Sequence, residues 1–198
     1  MTPDLFFALV GFAFVTSVTP GPNNMMLLAS GVNFGFRRSV PHMLGISIGH
    51  ALMVVLIGIG LDGLFETYPG LKLAMKVMAV LYMLWLAWRI ANADTPDEPQ
   101  GRGKGPMTFL QAAAFQWVNP KAWAMALGAV AAYAGAGGLG VVGLVAVTFA
   151  CVNLPSISLW TVLGTKIRGL LTDHRRLRQF NWTMAILLVL SLIPVLRL

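Results

Sequence analysis

No charged side chain occurs in the 32 residues between Asp4 and Arg37, in the 23 between Arg38 and Asp62, or in the 44 between Lys121 and Lys166. Runs of this length have few places to go. About 20 apolar residues carry an α-helix across the ~30 Å hydrocarbon layer of a bilayer. Soluble domains are about 25% charged, whereas this chain of 198 residues is 11% charged and 57% hydrophobic, with Cys151 its single cysteine. Those figures exclude a water-soluble globule, a disordered chain and a disulfide scaffold. Strand-like alternation is missing over these lengths, so a β-barrel is not expected. A net charge of +7 and a pI near 10.2 would suit nucleic acid. The basic residues, however, cluster in the gaps between apolar runs, which is the pattern of membrane loops. No nucleic-acid partner is expected.

The fold class expected is an all-α polytopic membrane protein, with residues 1–198 forming one membrane domain of six spans. These run from about Pro3 to Phe36, Pro41 to Leu61, Pro69 to Ile90, Pro106 to Tyr133, Leu139 to Gly164 and Gln179 to Leu196. Prolines near the first four starts act as helix-start signals. Lys72 and Lys76, one turn apart at the start of the third span, are placed to snorkel. The polar stretch Asn92 to Gly105 reads as an exposed loop between two halves, 1–92 and 106–198, with 93–105 in the cytoplasm. Gly135 to Gly138 reads as a tight turn. Met1-Thr2-Pro3-Asp4 lacks the positive start of a cleavable signal, so the first span is expected to be retained.

Orientation follows from the basic residues. Ten lie after the odd-numbered spans: Arg37, Arg38, Arg89, Arg102, Lys104, Lys166, Arg168, Arg175, Arg176 and Arg178. Only Lys72, Lys76 and Arg197 lie on the other side. The positive-inside rule then puts the odd loops in the cytoplasm and both termini outside. The run from Arg175 to Arg178 carries that signal and meets anionic lipid headgroups.

The residues that spoil the spans carry the function. In Thr19-Pro20-Gly21-Pro22-Asn23-Asn24, the two prolines release the carbonyls of Thr16 and Val18. Unpaired backbone in hydrocarbon costs several kcal/mol, so such a break must line protein or a wet cavity. Pro120, in Gln116-Trp117-Val118-Asn119-Pro120-Lys121, releases the Gln116 carbonyl. Pro155, after Asn153, releases that of Cys151, and a packing kink is the plainer reading there and at Pro194. With Pro20 laid over Pro120, Val18, Met25, Leu27 and Ala29 also meet identical residues. Two three-span repeats would follow, of opposite topology because three is odd, with broken helices 1 and 4 paired at the midplane. A helix restarting after Gly21 offers free N–H groups and a positive dipole end to a carboxylate. Asn23 and Asn24 add amide donors, and the freed carbonyls accept from an ammonium. The expected substrate-binding set is Thr16, Val18, Thr19, Gly21, Pro22, Asn23, Asn24, Gln116, Asn119, Lys121 and Asn153.

Three motifs give the chain a resemblance to a known family: Thr19-Pro20-Gly21-Pro22-Asn23, Gly45-Ile-Ser-Ile-Gly49 and Trp117-Val-Asn-Pro-Lys121-Ala-Trp123. They resemble the lysine exporter and homoserine/threonine exporter family (LysE/RhtB), over essentially the whole chain. The resemblance implies efflux of amino acids or related metabolites from the bacterial cytoplasm through the inner membrane, driven by proton motive force. Many relatives carry an acidic residue right after the second glycine of span 2, where this chain has His50.

His50 and Lys121 are the ionisable groups at depth. His50 is either a coupling group or a neutral imidazole bonded between helices. Lys121 either pairs with a substrate carboxylate or steadies the broken helix. His42 and His174 are read as interfacial and without a role, and no metal site or cofactor is expected. The seven acids, Asp4, Asp62, Glu66, Asp94, Asp97, Glu98 and Asp173, map to span ends or loops. A cationic substrate would need a buried carboxylate, so a neutral amino acid or small polar analogue is favoured. Asp62, at the external mouth, is the residue that threatens this reasoning. Gly31-xxx-Gly35 and Gly45-xxx-Gly49 read as helix contacts within the bundle rather than a dimer seam, although a homodimer stays open. An intramembrane enzyme and a non-transporting scaffold subunit are the alternatives. Against the enzyme, no G-x-S-x-G, H-E-x-x-H or C-x-x-C pattern is present.

Overall fold

The structure, a computed structural model, describes residues 1–61, 69–93, 105–135, 138–171 and 173–193. Those residues form helices and no strand. Asp62, Glu66, Pro194, most of the loop expected at 93–105, the middle of the turn at 135–138 and the side chain of Lys72 lie outside the description.

The first span is two helices. Helix α1 (Pro3–Val18) opens on Thr2, whose hydroxyl accepts from the Leu5 amide at 3.3 Å, and α2 (Pro22–Phe34) follows at a bend of 57°. Gly35, at φ +77°, ends α2 and passes directly into α3 (Phe36–Gly58). Pro41 therefore lies inside a helix rather than at its start. Helix α4 (Pro69–Ala91) matches the third span. The fourth span is broken as expected. Helix α5 (Phe109–Phe115) starts from a reciprocal Thr108–Gln111 capping box, tightens into a 3₁₀ turn over Gln116–Val118, and stops at the extended Asn119. Helix α6 (Pro120–Ala129) restarts there and loosens into a π-helical segment, Val130–Ala134.

Helix α7 (Gly138–Arg168) is 31 residues long and runs through Pro155 without interruption. Pro155 is thus not a helix break: it removes one bond of the ladder, and the helix continues beyond it. Helix α8 (His174–Leu190), capped by Asp173, begins five residues before the expected span, so Arg175, Arg176 and Arg178 sit on its first turns and not in a loop. Among the described residues, α3 and α7 are each long and apolar enough to cross a membrane, as is the bent pair α1–α2 taken together.

Helix α7 is the central post, packed against α1, α2 and α3. Small residues let the backbones close in. A Cβ on Gly31 would run into the Thr161 carbonyl, and one on Gly164 into that of Leu28. On the other side, Gly45 and Gly49 of α3 lie against Phe109, Ala112 and Ala113 of α5. Both seams are inside the bundle. Gly35 plays a different part, as the positive-φ stop of α2.

The apolar core has two main blocks, beside a small third one of Leu28, Ala29 and Met184. One gathers Leu27, Met43, Ile46, Met83, Phe115, Ile157 and Leu188. The other gathers Leu9, Met53, Val54, Met125, Val145 and Phe149. Between them lies a polar layer.

Candidate functional site

The two helix breaks face each other in that layer. Asn23, at the start of α2, and Gln116, before the second break, exchange amide hydrogen bonds: Asn23 Nδ2 donates to Gln116 Oε1 at 2.8 Å, and Gln116 Nε2 returns one to Asn23 Oδ1 at 3.2 Å. Gln116 is also anchored on the Ala112 carbonyl at 2.9 Å. Lys121 crosses in the other direction. Its ammonium donates to the Thr19 carbonyl at 2.6 Å, the Thr19 hydroxyl at 3.0 Å and the Pro20 carbonyl at 3.4 Å. A cation there complements the negative end of α1's dipole.

The remaining carbonyls at the end of α1 are filled by the protein itself. Asn24 Nδ2 donates to the Ser17 and Thr19 carbonyls, both at 2.8 Å. The Thr19 hydroxyl donates to the Thr16 carbonyl at 3.1 Å. The Trp160 indole, reaching in from α7, donates to the Val18 carbonyl at 3.0 Å. The expectation that Thr16 and Val18 hold open carbonyls for an ammonium is therefore corrected: both already have donors. Trp160 is 142 residues from Val18 in the chain, and no local pattern marks it.

The two restarts differ. Asn119 accepts from the Lys121 amide at 3.1 Å and so caps α6 itself. Helix α2 has Pro22 at its first turn and no side-chain cap, so its leading N–H groups are open. Gly21 is extended, and a Cβ on it would lie 2.6 Å from Lys121 Cδ. Its lack of a side chain is what lets the lysine pass. Pro22, not Pro20, opens the second helix as Pro120 does, so the register of the two breaks is shifted by two residues from the one read in the sequence.

Two more helices complete the layer. Asn153 of α7 donates to Ser17 Oγ at 3.0 Å. His50 of α3 is 2% exposed and stands edge-on to Phe149, with ring centroids 5.2 Å apart. The cavity these groups line is about 20 Å³ in volume, the space of a water molecule and too small for an amino acid. Thr16, Gly21, Asn23, Asn24, Gln116, Asn119, Lys121, Asn153 and His50 line it; Val18, Thr19 and Pro22 do not. Ser17, Ile46, Ala122, Met125 and Ile157 also line it. Of these, only Ser17 is polar, and a serine one turn before the break was the signal available in the sequence.

The profile of the LysE type translocators matches residues 14–193. The chain belongs to the LysE type translocator family. Cysteine/O-acetylserine efflux proteins of Escherichia coli (strain K12) and Shigella sonnei (strain Ss046) are each 35% identical to it over 122 residues, 61% of this chain and 61% of the relative. The matched segment is thus less than two thirds of those relatives' length. No solved structure matches the chain. Family and apolar helices together make this LysE-type chain a multi-pass membrane protein.

Proposed function

We propose that the chain exports a small, neutral amino acid from the bacterial cytoplasm across the inner membrane, with the layer between the two helix breaks as its binding site and proton motive force as its drive. Cysteine and O-acetylserine, exported by the relatives named above, are the first substrates to try. The observation that carries the reading is the pairing of an uncapped helix start at Pro22–Asn24 with a lysine ammonium crossing from the opposite break. Together they offer a carboxylate two kinds of positive charge. No Asp or Glu is buried among the described residues, which favours a substrate without a second positive charge.

In the closed arrangement, Lys121 occupies the carbonyls of Thr19 and Pro20. Substrate entry requires it to swing away and the 57° joint between α1 and α2 to open. Six spans in two inverted repeats, odd loops in the cytoplasm and both termini outside complete the proposal, with a homodimer compatible with it. The decisive assay is counterflow by purified protein in liposomes, across cysteine, O-acetylserine, threonine, homoserine, leucine and lysine. Counterflow of the neutral compounds is expected. Transport of lysine alone would reject the neutral site, and no counterflow at all would reject export.

A further inference from the structure

His42 was read from the sequence as interfacial and idle, yet it is 2% exposed. Both of its ring nitrogens are enclosed without a hydrogen-bond partner, and so are His50 Nε2, Asn153 Oδ1 and Thr161 Oγ1. Every one of these atoms, which are all such side-chain atoms among the described residues, belongs to α3 or α7. Buried polar groups are nearly always satisfied, so their concentration on two packed helices needs a cause.

The two helices run antiparallel there. Ser47 Oγ donates to the Ala150 carbonyl at 3.1 Å, and Ser158 Oγ meets Met43 Sδ at 3.4 Å. That register puts His50 and Asn153 at the level of the cavity. It puts His42 and Thr161 about two turns further on, toward the end where α3 begins. Eight residues on one helix give His42 and His50 a separation of about 12 Å along the axis and about 80° around it. Arg37 and Arg38, both exposed, lie within two turns beyond His42.

We propose that His42 and His50 are two stations of a proton path that joins the central cavity to the end of the protein where α3 begins, running along α3 through water and the hydroxyls of α3 and α7. This rests on the export reading above and adds the proton's route to it. An imidazole suits the task because it takes a proton on one nitrogen and gives one from the other. The spacing is too long for direct transfer, so intermediate carriers are required. Along the axis, Ser47 and, opposite Met43, Ser158 lie at levels between the two histidines, and Thr161 lies about one turn past Ser158 on α7. From the elements packed most closely against α3, the titratable groups are Lys121 on α6, Tyr133 in the π-helical segment, and Cys151, Lys166 and Arg168 on α7; α2 and α5 bring none. None is a carboxylate, so none of these elements supplies an acid to hold either ring in its charged form. With the start of α3 in the cytoplasm, protons leaving the cavity past His42 move inward as substrate moves out.

The test separates exchange from drive. In liposomes, His42→Gln should keep cysteine counterflow within twofold of the unaltered protein, because His42 does not line the cavity. Accumulation of cysteine driven by an imposed pH gradient should fall at least tenfold. Thr161→Val, which keeps the side chain's shape, should also lower driven accumulation several-fold with counterflow intact. Undiminished driven accumulation in His42→Gln overturns the path. So does loss of counterflow and driven uptake together in His42→Gln with Thr161→Val unaffected, since His42 would then only support packing. An unaltered protein inert in counterflow would instead defeat the export reading, a distinguishable result.

Discussion

Replacing Lys121 by methionine removes the cation that joins the two breaks and keeps an unbranched side chain only one atom shorter. Its cost to folding is small by the geometry. The Thr19 carbonyl still accepts from Asn24 at 2.8 Å, and the lost bond to Pro20 was long, at 3.4 Å. Its cost to binding follows from what the ammonium gives up when substrate arrives. A hydrogen bond to a charged partner contributes about 1.5–3 kcal/mol. The ammonium already has three oxygen partners in the closed site. Binding therefore gains only the difference between those partners and a carboxylate, and the low end, about 1.5 kcal/mol, applies. At about 1.4 kcal/mol per tenfold, K121M should raise the half-saturating cysteine concentration in counterflow about tenfold. Lys121→Arg, which keeps the charge, should raise it less. A K121M protein whose half-saturation stays within twofold of the unaltered one would refute the role of Lys121 in holding the carboxylate. It would leave only the capping of α1.

Further outcomes follow from other contacts. Gly164→Ala drives a methyl into the Leu28 carbonyl where α2 and α7 touch, and overpacking of this kind costs about 1–3 kcal/mol; detergent-solubilised protein should melt measurably earlier. Asn119→Ala removes the cap of α6, a loss of about 1 kcal/mol, and should impair counterflow while membrane insertion persists. Asn23→Ala breaks the reciprocal pair with Gln116 and should weaken transport in the same way. Full activity in both asparagine variants would remove them from the site.

Much of this architecture is local and was legible in the chain. Charge-free runs of 32 and 44 residues demand apolar helices, and a proline forbids the bond it cannot donate, so both breaks and the start of α6 at Pro120 are properties of a few neighbouring residues. The capping of α1 by Thr2 is equally local. Other features were misread because a local rule was overruled. Pro41 sits inside α3, and the first turns of α8 take in Arg175 to Arg178. In each case neighbouring packing or an upstream cap made up for what the local signal lacked.

The sequence by itself determined that this chain enters a membrane, that two of its helices are broken, and which polar residues stand at the breaks. Only the tertiary structure decided which of those groups meet. Trp160 fills the Val18 carbonyl, Lys121 reaches back across the gap to Thr19, and His42 is buried inside the bundle. The reason is one of range. A freed carbonyl is a consequence of the residue four places on, but the donor that satisfies it comes from wherever the fold brings a side chain within 3 Å.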